Sequence, residues 1–161
     1  NMPFNEETVV NLEKRKIAIQ LGLTHTVKLF EGAIELLEAL HGKIKMALAT
    51  MSNREVMEKQ LSEKGLRKYF SIVITYDEVQ HPKPDPEVFL KTAKKLGVQP
   101  ERCVVVEDSI FGVKAAKQAK MRCIAIPSGS YSIRELSEAK PDLTVNSIKE
   151  SQKILNSILE K

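Results

Sequence analysis

The feature that most constrains this chain is the alternation of strand-length apolar runs with helical patterns from one end to the other. Ile44–Thr50, Ile72–Ile74, Cys103–Val106 and Arg122–Ile126 are short runs rich in β-branched or apolar residues, and a helix-like segment separates each from the next. Strands linked by helices lie parallel, because a parallel neighbour needs a long crossover and a helix is the usual one. The expectation is therefore an α/β fold around a mainly parallel sheet. In such sheets ligands gather where the strands end, so the residues just after each run are the ones to read for chemistry.

Local signals place the helices. Asn5 caps a helix over residues 6–20, where Glu6 and Glu7 suit the positive end of the dipole and Val9, Val10, Leu12, Ile17 and Ile19 supply apolar contact. A second helix, over 31–41, repeats apolar residues at Ile34, Leu37 and Leu40 and ends at Gly42. Asn53–Lys64 is helical up to Gly65, and another helix starts at Asp85-Pro86 and closes at Gly97. Residues 110–119 follow the most apolar strand. Ser132 with Glu135 and Ser147 with Glu150 match capping boxes, the second opening a final helix over 148–160, and Leu143–Val145 supplies an edge strand.

Several function classes recede on composition. With 161 residues the chain suits one principal domain. No apolar run approaches the roughly 20 residues that span a bilayer, and the first residues lack the pattern of a secretory signal, so a cytoplasmic protein without a membrane partner is expected. The net charge of +4 is spread over many helix faces, including Lys91, Lys94, Lys95, Lys114 and Lys117. Nucleic-acid binding needs clustered charge, so a solvated surface is the reading. Cys103 and Cys123 lie in or beside strands, outside any ligand spacing, and read as reduced, buried thiols.

Three clusters stand at or near strand ends. Ala49-Thr50-Met51-Ser52-Asn53 brings two hydroxyls and the amides of a helix N-terminus to one place, which suits an anionic phosphoryl group; Ser52 or Asn53 equally serves as an ordinary cap. His81-Pro82-Lys83-Pro84-Asp85-Pro86 stiffens a loop in extended form around Lys83, a useful ammonium where negative charge gathers or a plain turn lysine. Val104-Val105-Val106-Glu107-Asp108-Ser109 ends an apolar strand in two carboxylates, the hard oxygen donors that Mg²⁺ takes, although Asp108 or Ser109 alone would be explained as a cap.

In that order, Thr50, then Lys83 in Lys-Pro-Asp-Pro, then Glu107-Asp108-Ser109 followed by Gly112, Ala115 and Ala116, the clusters resemble motifs two, three and four of the haloacid dehalogenase superfamily. The likeness is greatest to its β-phosphoglucomutase-like and phosphoglycolate-phosphatase-like branch. The resemblance implies a three-layer Rossmann-like core over residues 25–161, with residues 1–24 as the last part of a helical cap. It implies a Mg²⁺-dependent phosphatase acting on a small phosphorylated metabolite such as a sugar phosphate. Thr50, Met51, Ser52 and Lys83 would hold the phosphoryl group, Thr50 and Lys83 as catalytic groups, and Asp108 with Glu107 would hold the metal. A phosphomutase is the close alternative, and a phosphate-binding homologue without turnover is another; a receiver-like signalling domain shares the chemistry but needs its carboxylates early in the chain.

One family motif is not found. The superfamily's first strand ends in Asp-x-Asp, whose first carboxylate becomes an aspartyl-phosphate; here the first aspartate is Asp77. In the family that strand lies between the strands ending at Thr50 and Val106. The expectation is therefore a gap in the sheet, a separate N-terminal fragment or chain that completes it, and little activity from these residues alone. Unpaired strand edges cost about 1 kcal/mol or more per buried group. Ala119-Lys120-Met121 stands where the family usually has glycine in the middle, placing Lys120 in a left-handed cap at a cost of about 1 kcal/mol.

Overall fold

The computed structural model describes residues 5–159, and the side chains of residues 5–155. Its strands are β1 (Ala47–Ala49), β2 (Ile72–Ile74), β3 (Val104–Glu107), β4 (Arg122–Ala125) and β5 (Leu143–Thr144). The helices are α1 (Glu6–Leu23), α2 (Ala33–Leu40), α3 (Arg54–Glu63), α4 (Glu87–Leu96), α5 (Ile110–Gln118), α6 (Ile133–Glu138) and α7 (Ile148–Leu159). Every strand pair is parallel, as the alternation predicts.

The strands form two ladders rather than one: β1 with β2, and β3 with β4 and β5. Leu48 sits opposite Val73 in the first, and Val105 opposite Cys123 in the second. Among the described residues β1 has no partner on its side away from β2, and β3 has none on its side away from β4. Between them runs a cavity of about 480 Å³, with Ala47–Ala49 on one wall and Val104–Glu107 on the other. Val106, in the middle of an apolar strand, is 41% exposed there. The expected interruption of the sheet is thus present in the fold.

Side chains on β4 alternate between two apolar clusters, which is how the layers arise. Cys123 and Ala125 join Val88, Phe89 and Ala93 of α4, Val113, Ala115 and Ala116 of α5, and Leu136 of α6. Ile124 and Ile126 face the other way, against Leu40 of α2 and Leu155 of α7. Helices therefore cover both faces of the strands, making three layers. Both cysteines are free thiols, Cys123 buried and Cys103 half-buried; burial pushes the Cys123 thiol up to about 12, with the Glu107 and Asp142 charges adding to it.

The helix starts follow the local rules. Asn5 accepts from Thr8 N, Asn53 from Glu55 N, and Ser132 with Glu135 completes a capping box. At α7 the box is half formed: Glu150 N donates to Ser147 Oγ, but the Glu150 carboxylate takes Asn146 N instead. That helix is described to Leu159, so its expected last residue lies outside the description. Lys120 does adopt positive φ, at 58°.

Two expectations fail. The strand expected over Ile44–Thr50 shortens to three residues, because only one neighbouring ladder defines it. The apolar residues of α1 do not reach the core: Val9, Val10, Leu12 and Ile19 are exposed, and no residue of α1 is buried. This helix touches α3 and the turn at Thr24–Thr26, but the contact buries none of its apolar residues. Residues 1–4 of the expected cap segment lie outside the description.

Candidate active site at the strand ends

β3 delivers Glu107 to the start of α5, and the local sequence fixes it there. Ser109 caps α5 by accepting from Gly112 N at 2.9 Å, and its hydroxyl donates to Glu107 Oε1 at 3.0 Å. Gly112 leaves the space this requires: a β-carbon at that position would overlap Oε1, Cδ and Cγ of Glu107. Lys83 Nζ completes the arrangement, 2.9 Å from Glu107 Oε1 and 4.7 Å from the centre of the Phe89 ring. The two side chains are only 10% and 12% exposed, so water screens this pair poorly. Of the residues anticipated from sequence, Lys83, Glu107 and Ser109 are joined through their side chains.

Asp108 follows on, half-buried, with no hydrogen bond or ion pair to its carboxylate among the described residues. Its neighbour is Gly129, where a β-carbon would press on Asp108 Oδ2. One open carboxylate beside a second whose Oε1 is already engaged fits a hard divalent cation, which binds one or two carboxylates and keeps several waters. Asp108 offers the free oxygens, and Glu107 offers Oε2, which has no partner among the described residues.

The Thr50–Asn53 segment stands at the end of β1. Thr50 N donates to Ile74 O at 2.9 Å, its Oγ1 accepts from Ser52 N at 3.1 Å, and Ser52 O accepts from Tyr76 N at 3.1 Å. The Thr50 and Ser52 hydroxyls donate to no described acceptor, so both protons are available to an anion. The Met51 side chain packs on the main core, leaving its backbone as the part that can serve a phosphoryl group. The structure changes the account of the helix behind them. Arg54 N donates to Asp77 Oδ2 at 2.7 Å and Asn53 Nδ2 to Asp77 Oδ1 at 2.8 Å, so a carboxylate already occupies the N-terminus of α3. Any anion here rests on the hydroxyls and loop amides. Among the described residues no hydrogen bond or ion pair joins Thr50 or Ser52 to Lys83, Glu107 or Asp108, and of these five only Glu107 lines the cavity between β1 and β3.

The loop holding Lys83 turns at Lys83 and Pro84 rather than running extended. The group sequence reading passed over is Glu87, in the first turn of α4. Its carboxylate accepts from Gln80 N, from His81 N and from Lys91 Nζ, and touches His81 Nδ1. Ligand atoms of His81, Asp85 and Glu87 lie within 4.8 Å of one another, a spacing a metal could use, but the Glu87 oxygens are already filled by nitrogen donors. Those donors, the Lys91 ammonium first, hold the Glu87 carboxyl down to about 2. The unfolded value is about 4.3. A depressed folded value means that its contribution to stability is present above the unfolded value and lost as pH falls toward 2. Glu87→Gln is therefore expected to flatten the decline of Tm between about pH 4 and 2, read by thermal melting across that range; an unchanged slope would reject this linkage.

The family model described as haloacid dehalogenase-like hydrolase matches residues 3–126. A fructose-1-phosphate phosphatase of Escherichia coli is 41% identical over 93 residues, 58% of this chain and 50% of that protein. A phosphorylated carbohydrates phosphatase of Thermotoga maritima is 42% identical over 112 residues, 68% of this chain and 49% of that protein. The chain thus spans about half the length of these curated relatives. Among solved structures, a hydrolase from Pseudomonas syringae superposes with a TM-score of 0.87 at 29% identity, covering 98% of this chain and 72% of that one.

Proposed function

From the premise that this chain belongs to the haloacid dehalogenase-like hydrolases, we propose that it forms the phosphoryl-binding part of a Mg²⁺-dependent phosphatase acting on small phosphate monoesters such as sugar phosphates. The observation that carries this reading is the poorly screened Lys83–Glu107 pair beside the open Asp108 carboxylate at the strand ends. Phosphoryl transfer asks little of a protein beyond position and charge compensation. Lys83 receives negative charge on the transferring group, and Thr50 and Ser52 donate hydroxyl protons to its oxygens. Asp108, with Glu107 beside it, would hold Mg²⁺, which when bound neutralises phosphate oxygens.

The nucleophile belongs to the same proposal. The cavity between β1 and β3 is largely apolar and flanked by two edges that are unpaired among the described residues, and no aspartate precedes Asp77. A parallel apolar strand ending in a carboxylate, from a further segment or a separate chain, would pair both edges and bring that carboxylate to the site. There it would attack phosphorus as the bond to the ester oxygen breaks and the alcohol leaves with a proton, forming the aspartyl-phosphate that water then hydrolyses to orthophosphate and the free carboxylate. The fructose-1-phosphate and phosphorylated-carbohydrate phosphatases among the relatives support the substrate class.

The test is turnover of p-nitrophenyl phosphate by the full-length protein in Mg²⁺ and in EDTA. Activity should require Mg²⁺, and Asp108→Asn should lower it about 100-fold or more while shifting the Mg²⁺ response to higher concentration. Equal rates in Mg²⁺ and EDTA, or an unaltered Asp108→Asn, would remove the assignment.

A further inference from the structure

Lys83 sits in a loop that has almost nothing else to hold it. Gln80, His81, Pro82 and Pro84 are all exposed, and within residues 80–84 only Lys83 is partly buried. Packing therefore does not position this segment, and its hydrogen bonds must. Gln118 Nε2 of α5 donates to Pro84 O at 3.1 Å, and most of the others converge on one residue. Glu87 accepts from Gln80 N at 3.0 and 3.1 Å and from His81 N at 2.8 Å, while His81 Nδ1 lies 3.1 Å from Oε2. At the other end of the loop Glu87 N donates to Asp85 Oδ1 at 2.9 Å, and Asp85 N donates to Pro82 O at 3.0 Å. Glu87 thus ties the loop together on both sides of Lys83. One turn of α4 supplies the rest: Lys91 pairs with the Glu87 carboxylate, and Phe89 lies beneath the Lys83 ammonium.

We infer that Glu87 is a positioning residue for Lys83, its carboxylate gathering the backbone N–H groups of residues 80 and 81 so that Nζ is delivered between Phe89 and Glu107 to meet the phosphoryl group. The inference rests on the proposed role of Lys83 at that group. The Glu87 carboxylate is taken up by Gln80, His81 and Lys91 and has no bond to the Lys83 ammonium, Glu107 or Asp108 among the described residues, so it acts through the loop. Hydrogen bonds to a charged acceptor are roughly twice as strong as neutral ones, and glutamine at 87 would lose both the charge and one acceptor oxygen.

A double-mutant cycle separates positioning from general stability. Orthophosphate affinity of the full-length protein is measured by calorimetry or ³¹P NMR for the wild type, Glu87→Gln, Lys83→Met and the double variant. Glu87→Gln should weaken binding about 10-fold, Lys83→Met at least as much, and the double variant no more than Lys83→Met alone. Wild-type affinity in Glu87→Gln, or equal weakening with and without Lys83, would overturn the inference while leaving the role of Lys83 intact. Wild-type affinity in Lys83→Met would overturn that role and the inference with it. Should Glu87→Gln fail to fold, Glu87→Asp keeps the charge one methylene short and enters the same cycle, with the same non-additivity expected and additivity again rejecting it.

Discussion

Lys83→Met in the full-length protein should lower aryl phosphate turnover about 1000-fold and, separately, lower stability by about 3 kcal/mol. The first figure is what losing one preorganised positive group at a developing charge typically costs. The second arises because Glu107, 12% exposed, would remain as a carboxylate without its ammonium, and breaking such a pair from one side costs more than the pair is worth. The two effects come apart in Lys83→Met/Glu107→Gln, which removes the stranded charge. Thermal melting should recover most of the lost stability, and turnover should stay low. If turnover recovered together with stability, Lys83 would be a structural group and not a phosphoryl ligand.

Gly112→Ala is expected to destabilise the protein even though it replaces glycine with the best helix former. Inside an ordinary helix this change gains about 1 kcal/mol. Here Gly112 is in the first turn of α5, and the new methyl would occupy the space of the Glu107 carboxylate. Glu107 would have to swing away from both Lys83 and Ser109, undoing a buried ion pair worth several kcal/mol to break. The net expectation is a Tm lower by about 10 °C, using roughly 2–4 °C per kcal/mol for a domain of this size. A rise in Tm would mean that Glu107 relocates at no cost, and would discredit the bonded Lys83–Glu107–Ser109 arrangement.

How far the sequence could be read depended on the range of each interaction. The caps at Asn5, Asn53 and Ser132 are settled within three residues, and all form as expected. The parallel pairing followed from alternation, and the interruption between β1 and β3 followed from a resemblance rather than from any local signal. Lys83 and Glu107 could each be singled out, but their direct bond spans 24 residues and depends on how two loops meet. Phe89 beneath the ammonium and Gly129 beside Asp108 left no mark in the pattern, because a core phenylalanine and a loop glycine are ordinary at such places. The apolar residues of α1 were visible, yet apolarity does not say what will cover them. Asp77 was passed over because a helix N-terminus looks the same in sequence whether an anionic ligand or the protein's own carboxylate fills it.

The division of the strands has one more consequence. Thr50 belongs to the ladder of β1 and β2, whereas Glu107 and Asp108 belong to the ladder of β3, β4 and β5. Among the described residues no backbone bond between those two ladders sets the distance from the hydroxyls to the carboxylates, so sliding one block past the other would alter the site without breaking a single rung. Under the proposed function, a strand wedged between them would act as a keystone, locking both halves of the candidate site into register as it delivered its own reactive group. Assembly and competence would then be one event, and an enzyme lacking that piece would be quiet by construction.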